Sequence, residues 1–223
     1  MQARSPQQLW VRKAAGVSLP AVFAPGRGRA AVFAPVLVAL GLLAPVAPAQ
    51  AGVAEGAQKA QVCVACHGAE GKSTNPMFPV IAGQPRQFLV SALFQFREGK
   101  RKNDQMTPFT ANLTNTDLND LAAYFNAQTF PAPARQAPAD KVAAGRALTE
   151  KNACIACHGA TLLGQQHIPR IAGQHMDYLR TQLSAFKATT RGDLDGTMTS
   201  AAQALSPQDI EILSDYLSGL AAP

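Results

Sequence analysis

Cys63-Val64-Ala65-Cys66-His67 and Cys154-Ile155-Ala156-Cys157-His158 are two copies of one pattern, Cys-x-x-Cys-His, set 91 residues apart. The pattern is the one that attaches a c-type haem. Two cysteines three apart on a helical turn can meet the two vinyl groups of a porphyrin as thioethers. The histidine that follows then faces the iron from the proximal side. These runs use all four cysteines of the chain, so none is left for a disulfide. Paired cysteines can also hold a structural zinc or form a thioredoxin-type redox pair. Zinc ribbons, however, separate their pairs by about 15–20 residues, and a redox pair has no use for a trailing histidine, twice over. The motifs therefore predict two covalently bound c-type haems, at Cys63 and Cys66 and at Cys154 and Cys157, with His67 and His158 on the irons.

Outward from each motif the same series of elements recurs. A helix over Ala54 to Val64, rich in Ala, Gln and Lys, carries the first motif at its end, and a helix from about Lys141 to Ala153 precedes the second. A Gly-, Asn- and Pro-rich loop runs from Gly68 to Gly83. Phe78-Pro79-Val80-Ile81-Ala82-Gly83-Gln84 returns as Ile168-Pro169-Arg170-Ile171-Ala172-Gly173-Gln174. Next comes an amphipathic helix with Pro85 suited to its first position. Phe88, Leu89, Ala92, Leu93 and Phe96 share one face of it, and Gly99 ends it. Its copy carries Tyr178, Leu179, Leu183 and Phe186. A last helix, capped by Thr116, turns Leu118, Leu121, Ala122 and Phe125 inward. The matching helix starts at Ser206-Pro207-Gln208-Asp209 and buries Ile210, Leu213, Tyr216 and Leu217. No stretch sustains the alternation of a strand, so the fold class is all-α, one helical unit written twice.

The boundaries expected are a leader over 1–51, a first domain over 52–130, a linker over 131–139 and a second domain over 140–223. Pro131, Pro133 and Pro138 make the linker unable to continue either helix. Each unit, at roughly 80–90 residues, is small for an independent apolar core. A covalently held haem supplies the missing apolar body, so the cofactor and the fold stand or fall together.

The leader reads as a secretory signal. Arg27 and Arg29 precede a charge-free stretch, Ala30 to Ala49, and Ala49-Gln50-Ala51 offers a small-x-small cleavage site before Gly52. Retained, the stretch spans about the 20 residues that a bilayer requires, but Pro35, Pro45 and Pro48 interrupt it. The expected location is therefore the periplasm, with membrane association only if the leader stays. The net charge of +6 is also a property of the leader. From Gly52 onward 15 Lys+Arg face 14 Asp+Glu, a balance that gives no reason to expect nucleic acid as a partner.

Among the five methionines, Met106 and Met198 lie 39 and 40 residues after their histidines, in matching polar loops before the last helix. A methionine repeated in a polar loop is poor core filler and a good sixth ligand. Met77 and Met176 have no counterpart in the other repeat. His167 and His175 compete as ligands, but both belong to the second unit only.

The two Cys-x-x-Cys-His runs, the Pro-x-Ile-Ala-Gly-Gln segments, the two methionine loops and the Leu-Ala-Ala-Tyr-Phe and Leu-Ser-Asp-Tyr-Leu helices together resemble the di-haem class I cytochromes c of the c4 type, across nearly everything after Gly52. The resemblance implies two tandem class I cytochrome c domains related by a pseudo-twofold axis, each a small helical fold wrapped around its haem. It implies that the carbonyls of Pro79 and Pro169 accept the other ring N–H of each haem histidine, and that Arg101 and Arg191 pair with haem propionates. It implies an electron carrier rather than an enzyme, with redox partner proteins: a quinol–cytochrome c reductase or a dehydrogenase as donor, a terminal oxidase or reductase as acceptor. The rival readings are a cytochrome subunit of a larger dehydrogenase complex, and a di-haem enzyme of the peroxidase or thiosulfate dehydrogenase type, which needs an open axial site.

Overall fold

The structure, a computed structural model, describes residues 51–221. The expected leader, with Arg27, Arg29 and the apolar stretch after them, lies outside the described residues up to its last position, Ala51. The described residues form α-helices and 3-10 turns with no β-strand, and no helix among them is long and apolar enough to cross a membrane.

In the first half, α1 (Ala51–Lys59) passes through a 3-10 turn (Ala60–Cys63) into α2 (Val64–His67). Then come α3 (Arg86–Arg97), α4 (Met106–Thr110) and α5 (Asn115–Asn126). The second half repeats the order as α6 (Ala139–Lys151), α7 (Cys154–His158), α8 (Met176–Lys187), α9 (Thr197–Gln203) and α10 (Pro207–Ser218). Two apolar clusters follow from the periodic faces, one around Leu89, Leu121 and Phe125, the other around Leu179, Leu213 and Leu217.

Capping boxes start the last helix of each half. At α10 the Ser206 hydroxyl accepts from Asp209 N–H at 3.0 Å, and the Asp209 carboxylate accepts from Ser206 N–H at 2.8 Å, the reciprocal cap that the spacing predicts. At α5 the same box is built by Thr114 and Asp117. Thr116 therefore lies inside the helix instead of capping it, because only Thr114 stands three residues before an acidic side chain. Pro85 also sits one position earlier than expected. Its ψ of 131° is extended, and its carbonyl accepts the first helical bond, from Leu89 N–H at 3.1 Å. Pro138 does the same for α6, through Val142 N–H at 3.1 Å, which starts that helix about two residues early.

In each half the first and last helices cross at a glycine. A Cβ on Gly56 would stand 2.1 Å from the Asp120 carbonyl oxygen, and one on Gly145 would stand 2.2 Å from Tyr216 Cβ. Lys59 reaches across the first crossing to Asp117 at 2.7 Å and Asp120 at 2.5 Å. The segment between the halves packs against the second half. Arg135 bonds to Asp215 at 2.6 Å and to the Ser218 hydroxyl at 3.1 Å, and Phe130 lies under the Arg170 guanidinium at 3.7 Å.

The halves meet through their repeated Pro-x-Ile-Ala-Gly-Gln segments. Gln174 exchanges two hydrogen bonds with the backbone of Val80, at 2.9 and 2.8 Å, and Gln84 exchanges two with the backbone of Arg170, both at 3.0 Å. Because Val80 and Arg170 are repeat-equivalent, the exchange is reciprocal, as two copies facing each other about a twofold would make it.

Candidate functional site

His67 closes α2 and His158 closes α7. A glycine at positive φ follows each (Gly68, +74°; Gly159, +82°) and turns the chain back on itself. The returning loop brings a proline carbonyl to each ring. His67 Nδ1 donates to Pro79 at 3.0 Å, and His158 Nδ1 donates to Pro169 at 2.8 Å. A carbonyl only accepts, so the ring proton is on Nδ1 and Nε2 keeps its lone pair. Burial pushes both imidazoles below the usual histidine value, with the proline bond partly opposing it. Both rings are therefore held neutral with Nε2 available, the state in which imidazole binds a metal.

One continuous cavity of about 930 Å³ is lined by both Cys-x-x-Cys-His motifs and by Met106 and Met198. The cysteines are half-buried and free of disulfides. Neither methionine is in a loop, as the polar sequence around it suggested. Each stands at the start of a short helix, α4 or α9. Helices of this length do not persist alone, and a preceding side chain pins each one. The Asn103 side chain accepts from Met106 N–H at 2.8 Å. The Asp193 carboxylate accepts from Met198 N–H at 2.8 Å and from Thr199 N–H at 3.1 Å.

The competing ligands stand at the cavity's rim or outside it. Met77 is 60% exposed, and the Met176 sulfur lies 3.7 Å from the Arg135 guanidinium, away from the cavity. His167 is exposed at the cavity rim. His175 turns its Nε2 to the Ser73 carbonyl of the other half, at 2.8 Å.

Arg101 and Arg191 come together where the halves meet. Each guanidinium stacks on a repeat-equivalent ring, Arg101 on Phe96 at 4.4 Å and Arg191 on Phe186 at 4.3 Å. Arg101 donates to Tyr178 Oη at 3.0 Å and to Gln182 Oε1 at 2.9 Å, and Arg191 donates to the same Gln182 oxygen. The acceptors are therefore one-sided. The first-half counterparts of Tyr178 and Gln182 are Phe88 and Ala92. Burial pushes the Tyr178 phenol up, but Arg101 and Arg191 together outweigh it and leave it below the usual value. Burial, then the neighbouring Arg101, lowers Arg191 to about 10.

Sequence reasoning missed Tyr178, Gln182, Gln84 and Gln174 as site residues. Gln84 and Gln174 did carry a signal, since both close the repeated segment. Their partners, 86 and 94 residues away in the chain, carried none.

The cytochrome c family model matches residues 53–128 and again 142–221. Cytochrome c4 of Pseudomonas aeruginosa is 38% identical over 83% of this chain and 96% of its own length. The chain belongs to the cytochrome c4 family. The crystal structure of reduced recombinant cytochrome c4 from Pseudomonas stutzeri matches with a TM-score of 0.71 at 32% identity, covering 76% of this cytochrome and 98% of that chain. A thiosulfate dehydrogenase electron acceptor of Stutzerimonas stutzeri is 33% identical over 72% of this cytochrome and 80% of its own length. This is thus a di-haem electron-transfer cytochrome with two covalently bound c-type haems.

The residues present fit that cofactor. The cavity walls are mostly apolar, as a porphyrin face requires. Arg191 Nε is buried without a partner, and no carboxylate lies within ion-pair distance of Arg101 or Arg191 among the described residues. Two crowded guanidiniums with one orphaned donor suit the carboxylates of haem propionates.

Proposed function

We propose that this cytochrome is a periplasmic one-electron carrier, exported by a leader over 1–51 and built from haem domains over 52–130 and 140–223 joined by the linker 131–139. His67 and Met106 hold the first iron, His158 and Met198 the second. The observation that supports this ligand set is that the two buried, neutral histidines open on one cavity together with two methionines at equivalent repeat positions.

When bound, each haem supplies an iron that alternates between Fe(III) and Fe(II), one electron at a time. The chain's own residues set the conditions for that exchange. With a histidine and a methionine as its ligands, each iron would have no site left for a small substrate, which favours a carrier over an enzyme. The thioether sulfur favours the reduced state. Pro79 and Pro169 hold the imidazole rings in orientation through their Nδ1 protons. Arg101 and Arg191 offset the propionate charge where the two halves meet.

The redox partners we infer are a dehydrogenase or quinol–cytochrome c reductase as donor and a terminal oxidase or reductase as acceptor. Similarity to a thiosulfate dehydrogenase electron acceptor supports the dehydrogenase. The two cavity rims differ. Val62, Met77 and Phe109 are 63%, 60% and 56% exposed at the first, where Ala153, His167 and Ala201 stand at the second. With Lys102 also exposed there, the first rim suits a partner whose contact surface is apolar at its centre and acidic around it.

The test is a redox titration of the purified di-haem protein that follows the methionine–iron absorption at the red end of the spectrum. Met106→Ala and Met198→Ala are each expected to remove that band from one haem and to lower that haem's potential. If Met77→Ala or Met176→Ala does so instead, the ligand set is wrong.

A further inference from the structure

Gln84 and Gln174 are buried, at 2% and 3% exposure. Gln174 Oε1 accepts from Val80 N–H at 2.9 Å while its Nε2 donates to the Val80 carbonyl at 2.8 Å. Gln84 makes the matching pair with Arg170, both at 3.0 Å. The Val80 N–H belongs to the same peptide plane as the Pro79 carbonyl, which accepts from His67 Nδ1 at 3.0 Å. Likewise the Arg170 N–H shares its plane with the Pro169 carbonyl, which accepts from His158 Nδ1 at 2.8 Å. An unbroken run of hydrogen bonds therefore leads from the amide side chain of each domain, through one peptide, to the haem histidine of the other.

We infer that Gln174 is a positioning residue for His67 and Gln84 for His158, so that each domain tunes the iron of its neighbour through a shared peptide. The physical reason is polarisation. An amide whose N–H is hydrogen-bonded carries more negative charge on its oxygen, and successive bonds strengthen one another by about 10–30% each. The stronger acceptor draws on the Nδ1 proton, giving the imidazole more anionic character and making Nε2 a more basic ligand. A more basic ligand favours Fe(III) over Fe(II). The second bond of each glutamine, from Nε2 to the next carbonyl along, fixes the tilt of the peptide and hence the direction in which the proline oxygen points.

The two relays are not equal. Gln174 Oε1 also accepts from His175 N–H at 3.0 Å, which divides its accepting power. Gln84 Oε1 serves Arg170 alone among the described residues, and the bond at the end of its relay is the shorter one. The second haem therefore depends more on Gln84 than the first does on Gln174. The inference rests on His67 and His158 being the proximal ligands. A plain interface clasp, the competing role for the glutamines, would loosen both sites together when broken.

The experiment is a redox titration of the purified di-haem protein and its Gln84→Met and Gln174→Met variants, with haem-methyl NMR resonances reporting each haem separately. Gln84→Met is expected to shift the second haem toward the reduced form by about 2–5-fold in its reduction equilibrium, a smaller effect than the 10–100-fold loss of metal affinity or activity typical when a ligand's direct hydrogen-bond partner is removed. At 59 mV per decade for one electron this is a rise of about 18–41 mV. Gln174→Met is expected to move the first haem in the same direction by less, and each variant to leave its own domain's haem within about a quarter of the cross-domain shift. If a methionine variant does not mature, Gln84→Asn or Gln174→Asn, one methylene too short to reach the opposite peptide, reads the same shift. A shift in the variant's own domain, equal shifts at both haems, or no shift overturns the inference while leaving the wild-type titration intact. A wild-type protein without two histidine-ligated haems overturns the ligand set and the relay together.

Discussion

Gly145→Ala separates two opposed expectations. Alanine is the better helix former, and by intrinsic propensity alone the change would stabilise α6 by about 1 kcal/mol. The crossing with α10 predicts the reverse. The new methyl would lie 2.2 Å from Tyr216 Cβ, 2.4 Å from Cγ and 2.8 Å from Cδ1. The closest of these is more than 1 Å short of the roughly 3.5 Å at which carbon atoms begin to attract. The nearest of these atoms is a Cβ fixed to the α10 backbone, so rotating the ring cannot relieve the contact and the two helices must part. Overpacking of this kind costs about 1–3 kcal/mol, occasionally more, and a clash with an atom that cannot swing away belongs at the upper end. After the propensity gain, about 2 kcal/mol of destabilisation remains, a fall of about 8–16 °C in the melting of a domain this size. Leu213 and Leu217, on the same α10, line the cavity. The second haem's methionine–iron absorption should therefore fade at a lower temperature than the first's. The assay is thermal unfolding followed by far-UV circular dichroism and by that band, with the exposed Ala143→Gly as a control for propensity on the same helix. A Gly145→Ala protein that melts above the wild type would refute the close-crossing argument.

Acid should weaken the first crossing before the second. Lys59 and then Thr114 hold the Asp117 carboxyl down from 3.8 to about 2. A carboxyl depressed in the folded state contributes stability above its ordinary pKa and loses it as pH falls through the folded value. The Lys59–Asp117 contribution is thus complete above pH 3.8 and lost by about pH 2, and a pH series of melting temperatures should show that decline flattened in Lys59→Met. Reversing Lys100 and Lys102 to Glu should lower the first haem's potential more than the second's and weaken the salt dependence of electron transfer to an acidic partner, an effect screened over about 8–10 Å at ordinary ionic strength. Unmoved potentials and an unchanged salt response would show those lysines to be merely solvated. Intact mass and N-terminal sequencing of exported protein should give a chain starting near Gly52 with two haems attached; an intact leader in a membrane fraction would instead make it an anchored cytochrome.

Much of this molecule is legible along the chain because its chemistry is local. A Cys-x-x-Cys-His run occupies little more than one helical turn, so residue order alone brings two thiols and an imidazole together. The Ser206–Asp209 box and the inward faces of α5 and α10 are likewise settled within four residues, by hydrogen bonds and by helical period. Repetition added what a single copy could not, since Met106 and Met198 stand out only as a matched pair. What the sequence left open involves partners distant in the chain. Gly145 is an ordinary weak helix residue until Tyr216 is laid against it. Gln84 and Gln174 are polar side chains after a glycine until the facing repeat supplies Arg170 and Val80. Arg101 and Arg191 lie 90 residues apart in the sequence, yet both donate to one Gln182 oxygen. Sequence alone determined which groups could hold a haem, because a ligand motif is a matter of residue type and short spacing. Tertiary structure decided how the two sites face each other, because a buried hydrogen bond is set by whichever donor and acceptor packing leaves side by side, however far apart they lie in the chain.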